Sequence, residues 1–204
     1  MTISITRALS EMKTIDARLN QKVGEIRTIA VAVNDKLSSG VDPKEFSKDA
    51  IADYQSYIDL VERKNRLKAA VVASNAITKV TIAGQQMTVA AAIEKKSSIQ
   101  YLHTLVAALT HQLSQATSAV EKHNLKVQEQ LQQLLQANFG KDRKATEEEQ
   151  NAIVVPYLRN NEASLVDPLE LRNTIRKLRE DIVAFEGEVD FVLSESNAIT
   201  QVEV

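Results

Sequence analysis

The sequence predicts an all-α protein, an elongated antiparallel four-helix bundle of coiled-coil type with a small two-stranded β cap at one end. Three observations carry that expectation. Apolar residues recur every seven positions over long stretches, the mark of an a/d seam. Chain breakers and aromatics are scarce, since 204 residues include 5 Gly and 3 Pro, and aromatics make up 4% with no Trp. Hydrophobic residues at 44% and charged ones at 25% complete the composition of long helices. A single helical domain over 1–204 is expected at this length.

The first helix is expected over 4–35. Ile5, Met12, Leu19, Ile26 and Val33 keep seven-residue spacing, with Ala8, Ile15 and Ile29 on the neighbouring seam position. The run Thr28–Val33 (TIAVAV) looks strand-like but continues that register, and Ser38-Ser39-Gly40 ends it. The second helix, 43–75, opens with Asp42-Pro43-Lys44-Glu45. Asp is a good N-cap, Pro suits the first helical position, and Glu can bond back to the cap. Tyr54, Ile58, Val61 and Val72 hold helical spacing. Ile77–Gly84 (ITKVTIAG) then alternates and is β-branched, which predicts a short extended segment turned by Gly84.

The third helix, 88–138, is the spine. Ala92, Ile99, Val106, Leu113, Val120, Val127 and Leu134 hold the seven-residue register without a break, joined by Leu102 and Leu109. At ~1.5 Å per residue it is roughly 75 Å long. An irregular loop follows over 139–166, in which Thr146 and Glu149 are placed to cap a short helix that Pro156 interrupts. The fourth helix, 168–196, opens at Asp167-Pro168-Leu169-Glu170 and carries the stripe Leu171, Ile175, Leu178, Ile182, Phe185, Val189 and Val192.

Two signatures occur twice in the same order. DPKE (42–45) precedes SNAITKVTI (74–82), and DPLE (167–170) precedes SNAITQVEV (196–204). Alternating helix directions would bring both SNAIT segments to one end, where the tails ITKVTI and ITQVEV are expected to pair as the β cap. SNAIT reads as a helix C-terminal cap, because Asn tolerates the left-handed conformation and hydroxyls satisfy orphan backbone groups. It also reads as the lining of a polar pocket, with the third helix's N-terminus supplying N–H groups. The two readings are compatible.

Composition bounds the partners. Net charge is −2, and Lys and Arg are scattered, so nucleic acid is not expected. There is no cysteine, which excludes disulfides and thiolate metal sites and fits a reducing compartment, the cytoplasm. Met1–Ala8 has no apolar signal core. Ser97–Val120 contains no Asp, Glu, Lys or Arg, yet its Ser, Gln, Thr and His make it too polar to span a membrane. It is expected to be buried on several sides, in part by other subunits of a homo-oligomer.

The stretch Asn65–Glu94, with SNAITKV, Gly84 and Met87-Thr88-Val89-Ala90-Ala91-Ala92, resembles the septicolysin-like family of small bacterial and phage helical proteins. In that family a helix ends in a Thr-Asn-x-x-Thr-like motif. A Gly-containing hairpin and a Thr-Leu-x-x-Ala-like helix start follow. Arg7-Ala8-Leu9, Arg18-Leu19, Asn197-x-x-Thr200 and Tyr157-Leu158-Arg159 fit the same pattern. The resemblance implies a helical bundle and a homo-oligomer. It implies little about activity, because the family is largely uncharacterised. Its cytolysin label is not carried over, since this chain has no cysteine, signal core or membrane-inserting stretch.

Catalytic chemistry is not expected. His103, His111 and His123 lack i,i+4 pairing, so no metal is expected, and His123 on the seam reads as a satisfied interface histidine. No P-loop, GxGxxG or GxSxG motif occurs, and no cofactor is expected. The run Glu147-Glu148-Glu149 suits a helix N-terminus. Lys141, Arg143, Lys144, Tyr157, Arg159, Asn160 and Asn161 supply forks, a stacking face and amides suited to a small nucleotide-like anion, or simply a solvated loop. The expectation is a non-enzymatic oligomeric binding protein, with Asn75, Thr78, Asn197, Thr200, Tyr157, Arg159 and Arg143 as candidate ligand contacts. The alternative is a structural or assembly protein, such as a phage-type scaffold, acting through helix contacts alone.

Overall fold

A computed structural model describes residues 1–34, 36–37, 40–140 and 146–204. The protein is mostly helical, and its strands pair two by two. In chain order the elements are β1 (Thr2–Ser4), α1 (Ile5–Glu25), β2 (Ala32–Val33), β3 (Lys36–Leu37), α2 (Pro43–Ile77) and β4 (Lys79–Ile82). Then come β5 (Gln85–Thr88), α3 (Val89–Phe139), α4 (Glu147–Asn161), α5 (Leu171–Ile199) and β6 (Gln201–Glu203).

The first helix stops well short of residue 35. The α1 helix ends at Glu25, and Ala32-Val33 pairs with Lys36-Leu37 as a hairpin turned at Asn34, whose φ is 52°. Asn is one of the few residues that enter this left-handed region routinely. The heptad register fails here because nothing faces it: Ile29 is 88% exposed and Val33 also lies in solvent. An apolar stripe without a partner does not sustain a helix, and the β-branched run 28–33 then follows its own preference.

The expected β cap is replaced by two separate pairings. The tail of the first SNAIT segment, β4, pairs with β5, so that Lys79 faces Thr88 and Ile82 faces Gln85. The tail of the second, β6, pairs with β1, with Ser4 facing Gln201 and Thr2 facing Glu203. The two tails do not pair with each other. Each finds a strand that leads directly into a helix, α3 in one case and α1 in the other.

This pairing reveals a second half to the repeat. Thr88 caps α3 by accepting from Ala91 N–H at 3.1 Å, and Ser4 caps α1 by accepting from Arg7 N–H at 3.3 Å. Val89 and Ala92 are buried where Ile5 and Ala8 are buried. The repeating unit is therefore helix, SNAIT, strand, strand, helix, occurring once as α2-β4-β5-α3 and once as α5-β6-β1-α1. In the first copy Ala83 and Gly84 close the hairpin at φ 49° and 73°. In the second the chain ends take that place: Val204 N–H donates to Met1 O at 3.0 Å, and the Met1 amine donates to Val204 O at 2.9 Å.

The later elements follow the sequence more closely. Thr146 and Glu149 form a complete capping box on α4, and Pro156 sits within that helix rather than ending it. The expected irregular loop thus holds fifteen helical residues. The two D-P-x-E openings differ. Asp42 accepts from Lys44 N–H at 2.7 Å with Pro43 as the first helical residue. Asp167 instead receives Leu171 N–H on both oxygens, at 3.1 and 2.9 Å, and α5 begins only there, after Glu170 at φ 48°.

Packing divides the chain into two compact units. One comprises Met1–Ser97 with Ala184–Val204, and the other Ser98–Val183. In the first, Ile5, Ala8, Met12 and Ile15 of α1 pack with Leu67 and Val71 of α2 and with Ile3 and Val202 of the β1–β6 pair. Burying each large aliphatic contributes about 1.5–3 kcal/mol, which fixes α1 against α2. In the second, Val106, Val127, Leu131, Ile175 and Ile182 are buried. There Asn124 clamps the chain after α4, donating to Ala163 O at 2.9 Å and accepting from Ala163 N–H at 2.8 Å. Every member of the seven-residue stripe from Ala92 to Leu134 is buried or half-buried. The charge-free run is not surrounded within this chain, because Tyr101 is 79% and Leu105 44% exposed.

Candidate functional site

In the first unit an open groove of about 460 Å³ lies between α1 and α2. Arg7, Glu11, Thr14 and Arg18 fall at i, i+4, i+7 and i+11, one face of α1, and Arg63 comes from α2. Leu60 and Ile15 form an apolar floor. The core beneath, in which Ile15 and Leu67 pack, sets the spacing of the two helices and hence the width of the groove.

One carboxylate faces three guanidinium groups. Arg63 donates from Nε to Glu11 Oε1 at 2.8 Å and from Nη2 to Oε2 at 3.4 Å, a two-pronged contact. That hydrogen bond holds the Glu11 carboxyl below its ordinary range, helped by the charges of Arg63 and Arg7 and opposed by partial burial. The same bond raises Arg63. Arg7 and Arg18 form no side-chain hydrogen bond or ion pair among the described residues, and both are exposed. The pairs that flank the groove, Lys22–Asp53 and Lys64–Asp16, are each closed. The excess positive charge therefore belongs to the groove itself.

The duplication supplies an internal control on whether the fold requires these arginines. In register from the caps Ser4 and Thr88, Glu11 corresponds to Lys95, Arg7 to Ala91 and Arg18 to Leu102. In register from the two SNAIT segments, Arg63 corresponds to Phe185. The α3–α5 contact, which the duplication makes equivalent to the α1–α2 contact, replaces the ion pair by a cation–π contact, with Lys95 Nζ 4.6 Å from the Phe185 ring centroid. The equivalent helix–helix contact thus forms without an arginine at any of these positions. Their concentration between α1 and α2 is a property of the groove rather than of the architecture.

The structure treats the sequence-derived candidates unequally. Thr78 and Thr200 act as double caps. Thr78 N–H donates to Ser74 O and Thr200 N–H to Ser196 O, both at 2.9 Å, ending α2 and α5. Their carbonyls then receive the first N–H of the next helix, Val89 to Thr78 at 2.9 Å and Ile5 to Thr200 at 3.0 Å. The N–H groups of Val89 and Ala91, imagined as free for a ligand, are thus occupied. Asn75 and Asn197 lie in the same unit, and Asn75 Oδ1 is buried without a hydrogen-bond partner. Tyr157 and Arg159 belong to the other unit, where the Tyr157 hydroxyl donates to Gln130 Oε1 at 3.2 Å and Arg159 is exposed in the last turn of α4. Arg143, with Lys141 and Lys144, lies outside the described residues.

His123 Nε2 lies 2.8 Å from Asn161 O, but the residue is exposed rather than set in a buried seam. Among the described residues no group of three or more His, Asp or Glu side chains could hold a metal, and no helix is long and apolar enough to cross a membrane. The groove was missed because its residues are spread over α1 and α2 and resemble ordinary surface charges. Its signal was Arg7, Glu11 and Arg18 on one helical face, opposite a helix start that is otherwise alike but carries none of them. Comparison with protein-family models, curated proteins and solved structures finds no match to this chain.

Proposed function

We propose that the protein is a non-enzymatic, homo-oligomeric binding protein that holds a small anionic ligand in the groove between α1 and α2. The observation that carries this reading is the surplus of guanidinium groups over carboxylates in a groove whose fold does not need them. Arginine presents five N–H donors and no acceptor, and stays charged at any working pH. The apolar floor of Ile15 and Leu60 adds room for an organic portion, and the volume is of the order usual for small-ligand sites.

Thermal denaturation in sodium sulfate against sodium chloride at matched ionic strength tests it. A ligand at tenfold its Kd stabilises by about 1.4 kcal/mol. Wild type should gain a sulfate-specific rise in Tm that Arg18→Ala loses. Equal responses to the two salts would count against the groove. A second reading, assembly through helix contacts alone, is favoured by the exposed Tyr101 and Leu105 of the charge-free run. It predicts self-association with no anion dependence.

A further inference from the structure

Resting on the anion-binding reading above, we infer that the α1–α2 groove selects the dianion of a small organic phosphate monoester. Three guanidinium groups against one carboxylate leave two positive charges uncompensated. A monoanion leaves one of them unbalanced, whereas a phosphate monoester above its second ionisation, near pH 6, cancels both. Both Glu11 oxygens are already engaged by Arg63, so the carboxylate is fixed in place rather than free to swing toward an incoming cation. Arg7 and Arg18, which form no side-chain hydrogen bond or ion pair among the described residues, are the forks left to receive terminal phosphate oxygens. Ser10 offers a hydroxyl between them, while the Thr14 hydroxyl is committed to Ser10 O at 3.1 Å. The organic portion of the ester rests on Ile15 and Leu60, so an ester should bind better than inorganic phosphate.

The charged side chains that line the groove are Arg7, Glu11 and Arg18 of α1 and Arg63 of α2, and the ion pairs Lys22–Asp53 and Lys64–Asp16 lie elsewhere on the same two helices. The hydrogen bond from Arg63 holds Glu11 below the ordinary carboxylate range. All three histidines belong to the other unit. A change in affinity across pH 5 to 7 that a permanent monoanion does not share reports the charge of the ligand.

The experiment is calorimetric titration of the 204-residue protein with phenyl phosphate and with phenyl sulfate at pH 5, 6 and 7. The two probes have the same shape, but the sulfate ester stays a monoanion throughout. Phenyl phosphate should tighten by roughly tenfold from pH 5 to 7, following its dianion fraction. Phenyl sulfate should stay weak and flat. Arg18→Gln, a change at an exposed side chain, should abolish the preference and leave the two probes alike. Equal affinity and flat profiles for both probes in the wild type would overturn dianion selection while leaving anion binding intact. Binding of neither probe would overturn both proposals. Tighter binding of a phosphoserine peptide than of phenyl phosphate would overturn the small ester as occupant.

Discussion

The contact between Glu11 and Arg63 can be weighed by a double-mutant cycle with Glu11→Gln and Arg63→Met. Their side chains are 32% and 25% exposed, so neither charge is stranded in a dry interior. Exposed pairs are worth about 0.2–1 kcal/mol, and the two-pronged geometry argues for the upper half of that range. Arg63→Met keeps an apolar stem over the groove floor, so packing loss should be small. The expected coupling is about 0.5–1 kcal/mol, read from urea denaturation of the four proteins at pH 7. Its pH dependence has a definite sign. The carboxyl of Glu11 is lowered in the folded protein, so its contribution is complete above the unfolded value and is lost as pH falls through the lower folded one. Arg63 is raised, so its part is complete below the ordinary arginine value and does not vary in acid. The coupling should therefore vanish in strong acid, hold steady from neutrality up to the ordinary arginine range, and be lost only above it. A coupling of ~3 kcal/mol or more at pH 7, the scale of a broken buried pair, would refute the reasoning. The arginine would then be structural, and the α3–α5 contact a poor control.

Three further outcomes follow from the packing. Leu67, fully buried between α1 and α2, should cost ~2–5 kcal/mol as Leu67→Ala, whereas Ile29→Ala should change the unfolding midpoint hardly at all, within about 0.5 kcal/mol. Asn75→Leu should be neutral or stabilising in dilute protein, because Oδ1 meets no donor among the described residues. A large loss of Tm only at high protein concentration would mean that a second subunit supplies the donor. Sedimentation should give a mass above the 22.6 kDa monomer, and Tyr101→Lys with Leu105→Lys should return it to the monomer, leaving helical circular dichroism unchanged.

Much of the fold was legible because heptad spacing is a local signal that needs one helix to be read. Leu171 to Val192 and Ala92 to Leu134 kept their stripes, and Thr146 with Glu149 formed the capping box that their spacing announces. The first helix misled because Ile29 and Val33 satisfy the register, but register says nothing about whether a facing surface exists. The β cap misled for a related reason. The repeat of SNAIT was real, but strand partners are set by pairing across the chain, and Thr2–Ser4 was too short to read as a strand. The groove depends on Arg63 meeting Glu11 from fifty-two residues away, a contact no spacing rule contains. Thr78 and Thr200 join one helix to the next through their backbone N–H and carbonyl groups, which carry no mark in the sequence.

Whether the α1–α2 groove receives anions is tested most directly by following amide and arginine Nε–H resonances while inorganic phosphate is added at pH 7. Shifts should concentrate on Arg7–Arg18 and on Leu60–Arg63, saturate together, and include the Nε–H groups of Arg7 and Arg18. The counterparts around Lys95 and Phe185, at the α3–α5 contact that lacks these arginines, should stay still. Saturable shifts centred on Arg159, or small unsaturable shifts spread over every lysine, would contradict the groove as the binding site.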